Sequence, residues 1–65
     1  MTLNEIKAAV DGGQIVYWKH AGYRVVKDNL KQYHIVFAIN GNATGLTWAD
    51  GITLNGEPEE FFIKP

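Results

Sequence analysis

The spacing of apolar residues along this chain changes once, after Gly13. From the start to that point they fall at Leu3, Ile6, Ala9 and Val10, one face of a helical period, which predicts an amphipathic helix. Thr2 lies three residues before Glu5, the spacing at which each side chain satisfies a backbone N–H that the first turn leaves without a partner. The helix should therefore start there, with Met1 and Ile6 able to pack across the cap. Gly12 and Gly13 supply a left-handed residue to end it. Lys7 and Asp11, four apart on the outer side, are spaced to pair weakly. A helix of about nine residues is marginal in water on its own, so its apolar stripe must dock on something else.

Beyond Gly13 the chain turns β-branched and aromatic. Gln14 to Lys19, Tyr23 to Asp28 and Tyr33 to Asn40 read as strands. In the third run Tyr33, Ile35, Phe37 and Ile39 share one face, opposite His34, Val36 and Ala38. Both faces are apolar, which predicts a central strand covered by the helix on one side and by the sheet curling back on the other. His20-Ala21-Gly22 and Asn29-Leu30-Lys31-Gln32 are hairpin lengths, so the pairing should be antiparallel and the order a meander.

Asn40-Gly41-Asn42 then turns into a fourth run, Ala43 to Trp48. Asp50-Gly51 and Asn55-Gly56 are turn dipeptides around a short strand, Ile52 to Leu54. Pro58 argues against a central strand, and Phe61, Phe62 and Ile63 end the pattern as an edge strand.

The expected fold is α+β: an N-terminal helix packed on a curved antiparallel meander of four to five strands, of which an SH3-like partial barrel is one form. Leu3, Ile6, Ala9 and Val10 should be the helix's share of the core. The sheet should add Val16, Trp18, Val25 and Ile35, then Phe37, Ile39, Leu46 and Phe62. A one-residue register slip in the first two strands would exchange their faces.

Length sharpens this picture. Sixty-five residues make residues 1–65 a single small domain, which buries only about 60% of the surface its unfolded chain exposes. Without cysteine there is no disulfide to help, which fits a reducing compartment and leaves self-association as an extra source of stability. The start of the chain carries Glu5 and Asp11 and lacks the apolar run of a secretory signal. No later stretch approaches the roughly 20 apolar residues of a membrane span. A cytoplasmic protein without membrane contact is expected.

The candidate chemistry is thin. Gly41-Asn42-Ala43-Thr44-Gly45 has neither the lysine nor the following helix of a phosphate-binding loop. His20 and His34, with Asp28 the nearest carboxylate, fall short of the three or four converging ligands that a metal needs. The chain has no Ser and no Cys, and Glu57, Glu59 and Glu60 around Pro58 read as an exposed acidic turn rather than an acid/base pair. So short a chain should also have little room for the roughly 300 Å³ of a small-molecule site. No enzyme, cofactor, metal or small-molecule substrate is expected.

Charge is more informative. Lys19, Arg24, Lys27 and Lys31 stand against Asp28 alone between Gln14 and Trp48, a local balance of +3, while residues 49–65 carry −3. Aromatic residues interleave with the basic part, the combination of stacking surface and cation used on single-stranded nucleic acids. A pI near 6.0 is far from the value above about 9 typical of such binders. The leading expectation is therefore a non-enzymatic protein-interaction module with a protein partner or a second copy of itself. The alternative is a single-stranded nucleic-acid-binding module. Tyr17, Trp18, Arg24, Lys27 and Trp48 are the candidate partner-binding residues for either.

The segments GYRVVKD, QYHIVFAINGNATGLTW and DGITLNGEPEEFFI resemble short uncharacterised proteins of bacterial, prophage and mobile-element genomes. Those proteins similarly pair a capped helix with a small sheet and end through a Gly-Leu-Thr segment, a Thr-Leu-Asn-Gly turn and a Phe-Phe pair. The resemblance spans nearly the whole chain. It implies a bacterial or phage-borne accessory protein and carries no catalytic or ligand residues with it.

Overall fold

The computed structural model describes residues 1–63. Its helix, α1 (Leu3–Asp11), begins at the cap read from the sequence: the Thr2 hydroxyl accepts from the Glu5 N–H at 3.2 Å, and Glu5 Oε1 accepts from the Thr2 N–H at 2.8 Å. At the other end Gly13 takes the left-handed conformation (φ 87°), while the N–H groups of Gly13 and Gln14 donate back to Val10 and Ala9. Those bonds tie Gln14 to the helix. The first strand, β1 (Val16–Trp18), is therefore shorter than Gln14 to Lys19.

The first turn also falls elsewhere than expected. Lys19 alone, at φ 65°, reverses the chain, so His20-Ala21-Gly22 are not a loop but the opening of β2 (His20–Lys27). Trp18 pairs with His20 and Tyr17 with Arg24, which places a register shift between Tyr17 and Trp18. The second turn is built by Asp28, whose Oδ1 accepts from the N–H groups of Leu30 and Gln32.

Next comes β3 (Tyr33–Phe37), which stops three residues before Asn40. The Gly41 N–H donates to the Phe37 carbonyl at 2.8 Å and Asn40 Oδ1 accepts from the Asn42 N–H, so a local turn outcompetes the strand. Ile39, expected in the core, is 83% exposed as a result. The fourth strand, β4 (Ala43–Gly45), is shorter still and stops well before Trp48. The expected strand from Ile52 to Leu54 is reduced to one bridge between Thr47 and Leu54.

Residues 46–57 then cross to the far side of the sheet. A short 3-10 turn (Pro58–Glu60) delivers β5 (Phe61–Ile63) to the free side of β1. The sheet order is β4-β3-β2-β1-β5, all antiparallel, so β2 rather than β3 is central. The α+β architecture is as read, with a sheet that is not closed into a barrel.

One face of the sheet is covered by α1, which packs on β1 and β2, and by the crossing segment. Between them lies the core of Ile6, Ala9, Val16, Val25, Ile35, Leu46 and Phe61. Trp18 and Leu54 are half-buried against it. Gly56, at φ 141°, seats the crossing segment on the Trp18 indole so closely that a Cβ there would stand 2.7 Å from Trp18 Nε1. Phe61 takes the core place expected of Phe62, because the register of β5 against β1 puts Phe61 opposite Trp18. The other face is not covered by a returning sheet.

Candidate interaction site

Cross-strand partners share a face, so the registers define what the uncovered side presents. Phe62 stands opposite Tyr17, Tyr17 opposite Arg24, Arg24 opposite Val36 and Val36 opposite Ala43. A second row holds Val26, His34 and Gly45. The Tyr17 and Phe62 rings stack with centroids 5.6 Å apart. Arg24 is exposed and forms no ion pair among the described residues. The result is a band of aromatic and β-branched surface with one free guanidinium near its middle.

At the end of this band His34 Nε2 lies 2.8 Å from Asp28 Oδ2. That contact, with the Gln32 N–H, holds the Asp28 carboxyl below its ordinary range. The same carboxylate thus organises the β2–β3 turn and fixes the His34 ring.

Only Tyr17 and Arg24 of the five sequence candidates meet on the open face. Trp18 lies on the helix side, edge-on to Tyr23 (5.2 Å) and stacked near Phe61 (6.2 Å), with Lys19 Nζ 4.4 Å from its ring. Its buried Nε1 has no acceptor. Lys27 is also on the helix side. It donates to Asp11 Oδ1 at 3.0 Å, which accepts as well from the Tyr33 hydroxyl at 2.7 Å. The Tyr33 bond first, and Lys27 second, lower the Asp11 pKa, and Asp11 in turn raises that of Lys27. Asp11 therefore pairs with Lys27 rather than Lys7, whose Nζ sits 5.3 Å over the Tyr33 ring.

Trp48 occupies a third place. It is 63% exposed beside an open cleft of about 350 Å³ at the β3–β4 end of the molecule, with Lys7 and Lys31 also on its walls. A chain this short was expected to have little room for such a volume. The segment after β4 pairs back on itself through the Thr47–Leu54 bridge, and its Thr47, Trp48, Ala49 and Gly51 form one wall of the cleft.

Phe62, expected in the core, and Val26 and Val36 complete the open face, although none was among the partner-binding candidates. The signal for Phe62 was the Phe-Phe pair itself, since neighbours on a strand must face opposite ways. Lys7 was hidden by its place on a helix distant in sequence from Trp48.

No protein-family model, no curated protein and no solved structure matches this chain. Among the described residues no helix is long and apolar enough to cross a membrane.

Proposed function

We propose that this chain is a non-enzymatic interaction module whose open sheet face binds a protein surface, in the first place a second copy of itself. The observation that carries the reading is the uncovered Tyr17–Phe62 stack continued by Arg24, Val26 and Val36 across the sheet. Aromatic anchors beside an unpaired arginine are the residue types that dominate protein interfaces.

Charge favours a second copy as the occupant. The acidic residues Glu57 and Glu59 precede β5 at one edge of the sheet, and Arg24 sits on the central strand. A two-fold apposition offset so that the β5 edge of one sheet overlies β2 of the other would let these unlike charges meet, and symmetry would make the contact twice. Sheet-on-sheet burial also offers a small domain the apolar area that its own core lacks. As a cytoplasmic accessory protein of bacterial or phage origin, such a module acts by assembling rather than by chemistry.

Sedimentation equilibrium over a wide concentration range tests this. The dimer mass is expected for the wild type, with Arg24→Glu shifting the equilibrium to monomer and high salt weakening it. A monomer at the highest concentration overturns the self-association. Salt-sensitive capture of a single-stranded oligonucleotide by Tyr17 and Arg24 on that same face would favour the nucleic-acid alternative.

A further inference from the structure

The cleft at Trp48 opens at the β3–β4 end of the molecule, where its wall takes in His34 and Gly45 from the end of the open face, and is assembled by elements far apart in the sequence. Lys7 comes from α1, Lys31 and Gln32 from the β2–β3 turn, Tyr33 from the start of β3, and Trp48 from the segment beyond β4. Its chemistry is that of an aromatic shelf beside cations.

Several features of the cleft are unlike an idle surface. Trp48 leaves most of its indole in water although it sits in an ordered loop. Its N–H donates to the Thr53 carbonyl at 2.9 Å and its carbonyl accepts from Gly51 at 3.0 Å. Asp50 locks that loop, accepting from the N–H groups of Ile52 and Thr53 and from the Thr53 hydroxyl at 2.6 Å. The ring thus projects from a hairpin whose backbone is closed by hydrogen bonds.

Lys31 is the second feature. It adopts φ 62°, a left-handed conformation that disfavours any side chain other than glycine's, and its N–H bonds the Asp28 carbonyl at 3.1 Å. A turn that needs this conformation ordinarily takes Gly or Asn, so a lysine there keeps a side chain at a conformational cost.

The charge balance is the third. Neither Lys7 nor Lys31 forms an ion pair among the described residues. The carboxylates nearest the cleft are already committed: Asp50 to its own loop, Asp28 to its turn and His34, and Asp11 to Lys27 and Tyr33. Both ammonium groups are without a carboxylate partner among the described residues, and that of Lys7 lies over the ring of Tyr33, itself part of the cleft wall.

We infer that this cleft binds a nucleotide, with the base stacked on the Trp48 indole and the phosphate held between the Lys7 and Lys31 ammonium groups. Its volume of about 350 Å³ lies at the lower end of small-molecule sites and suits one nucleotide rather than a folded partner. Lysine, a mobile point charge, suits a phosphate without demanding one orientation of it. Gln32 on the same wall carries both a donor and an acceptor, which a base edge can use. The ligand's shared chemistry is a base and a phosphate, supplied either as a free nucleotide or as one residue of a single strand.

The site is distinct from the self-association contact centred on Tyr17 and Arg24, neither of which lines it, although its wall shares His34 and Gly45 with the end of the open face. Amide chemical-shift titration of the ¹⁵N-labelled full chain tests it, with adenosine monophosphate, adenosine, inorganic phosphate and a short oligothymidylate as probes. Adenosine monophosphate or the oligonucleotide should shift the amides of residues 31–34 and 46–49 and leave β5 unmoved. A tighter response to the monophosphate assigns the free nucleotide, and a tighter one to the oligonucleotide assigns the strand.

Trp48→Ala should weaken binding about tenfold and Lys31→Gly severalfold. Lys31→Arg, which keeps the charge on the same left-handed backbone, should retain binding where Lys31→Gly weakens it, and so separates lost charge from altered backbone. Adenosine binding as tightly as its monophosphate overturns the inference. So does saturation by neither nucleotide probe, or binding that survives both Trp48→Ala and Lys31→Gly.

Discussion

Asp11 shows how much one side chain can decide in a domain this small. It ends the helix, yet its carboxylate reaches across the sheet to Lys27 and Tyr33 and so fixes the helix's seat. Its depressed pKa carries a pH dependence of known sign. A carboxyl lowered on folding adds stability above its unfolded value and loses it as the pH falls through its folded value. Glu5, Asp28 and Asp50 are lowered as well, from ordinary values of 4.5 for Glu and 3.8 for Asp, so stability should decline once the pH drops below these. Lys27 and Tyr33 are raised from 10.5 and 10.0, so their contribution is present below those values and fades as the pH climbs beyond them. Urea titrations from pH 3 to pH 11 should show both limbs, and Asp11→Asn should flatten the alkaline one while only reducing the acid one, which Glu5, Asp28 and Asp50 still carry. Nothing in the sequence joined Asp11 to Lys27, because the rule for neighbours on a helix pointed to Lys7 instead. Gly56 is a second residue with an outsized role. Gly56→Ala combines a strained φ with a Cβ pressed on Trp18, and should cost more than about 1 kcal/mol in thermal or urea unfolding.

At the scale of elements, legibility followed the locality of the signal. The cap of α1 needs only Thr2 and Glu5, and it was read correctly. Thr2→Ala should lower stability by about 0.5–2 kcal/mol, measurable as a fall in helix content and melting temperature together. Strand ends were harder, because alternation continues through residues that local turns then capture. Ile39 continues the face of Ile35 and Phe37 in sequence, yet the Gly41–Phe37 bond removes it from the sheet. The contrast is testable: Ile6→Ala, in the buried stripe, should cost about 2–5 kcal/mol, whereas Ile39→Ser should change stability by less than about 0.5 kcal/mol. The choice between Phe61 and Phe62 was illegible for another reason. Both suit a core, and only the register against β1 decides between them. The candidate site divided along the same line: Tyr17 and Arg24 were brought together by pairing, and Trp18 was separated from them by the alternation that the sequence already contained.

For the whole molecule, covering one sheet face and leaving the other bare is the decisive asymmetry. The helix and the crossing segment are all the covering material that the chain spends, and both lie on one side. The two proposed surfaces divide what remains, with a flat apolar band on the open face and a charged cleft at the β3–β4 end. They should respond to salt differently in kind. Self-association keeps an apolar part that salt spares, while phosphate binding by two lysines weakens throughout the range.

The crossing segment also has a consequence for how the chain can be made. The meander from β1 to β4 joins neighbours in sequence and can form as it emerges from the ribosome. Phe61 and β5 must instead return to Trp18 and Val16 from the opposite end of the chain, so the long-range closure comes last. Until β5 has emerged, the nascent sheet has an unpaired β1 edge and a core open at one side. A partner strand supplied during synthesis would meet that edge before β5 does, so β1 is where competition between correct folding and strand exchange should concentrate.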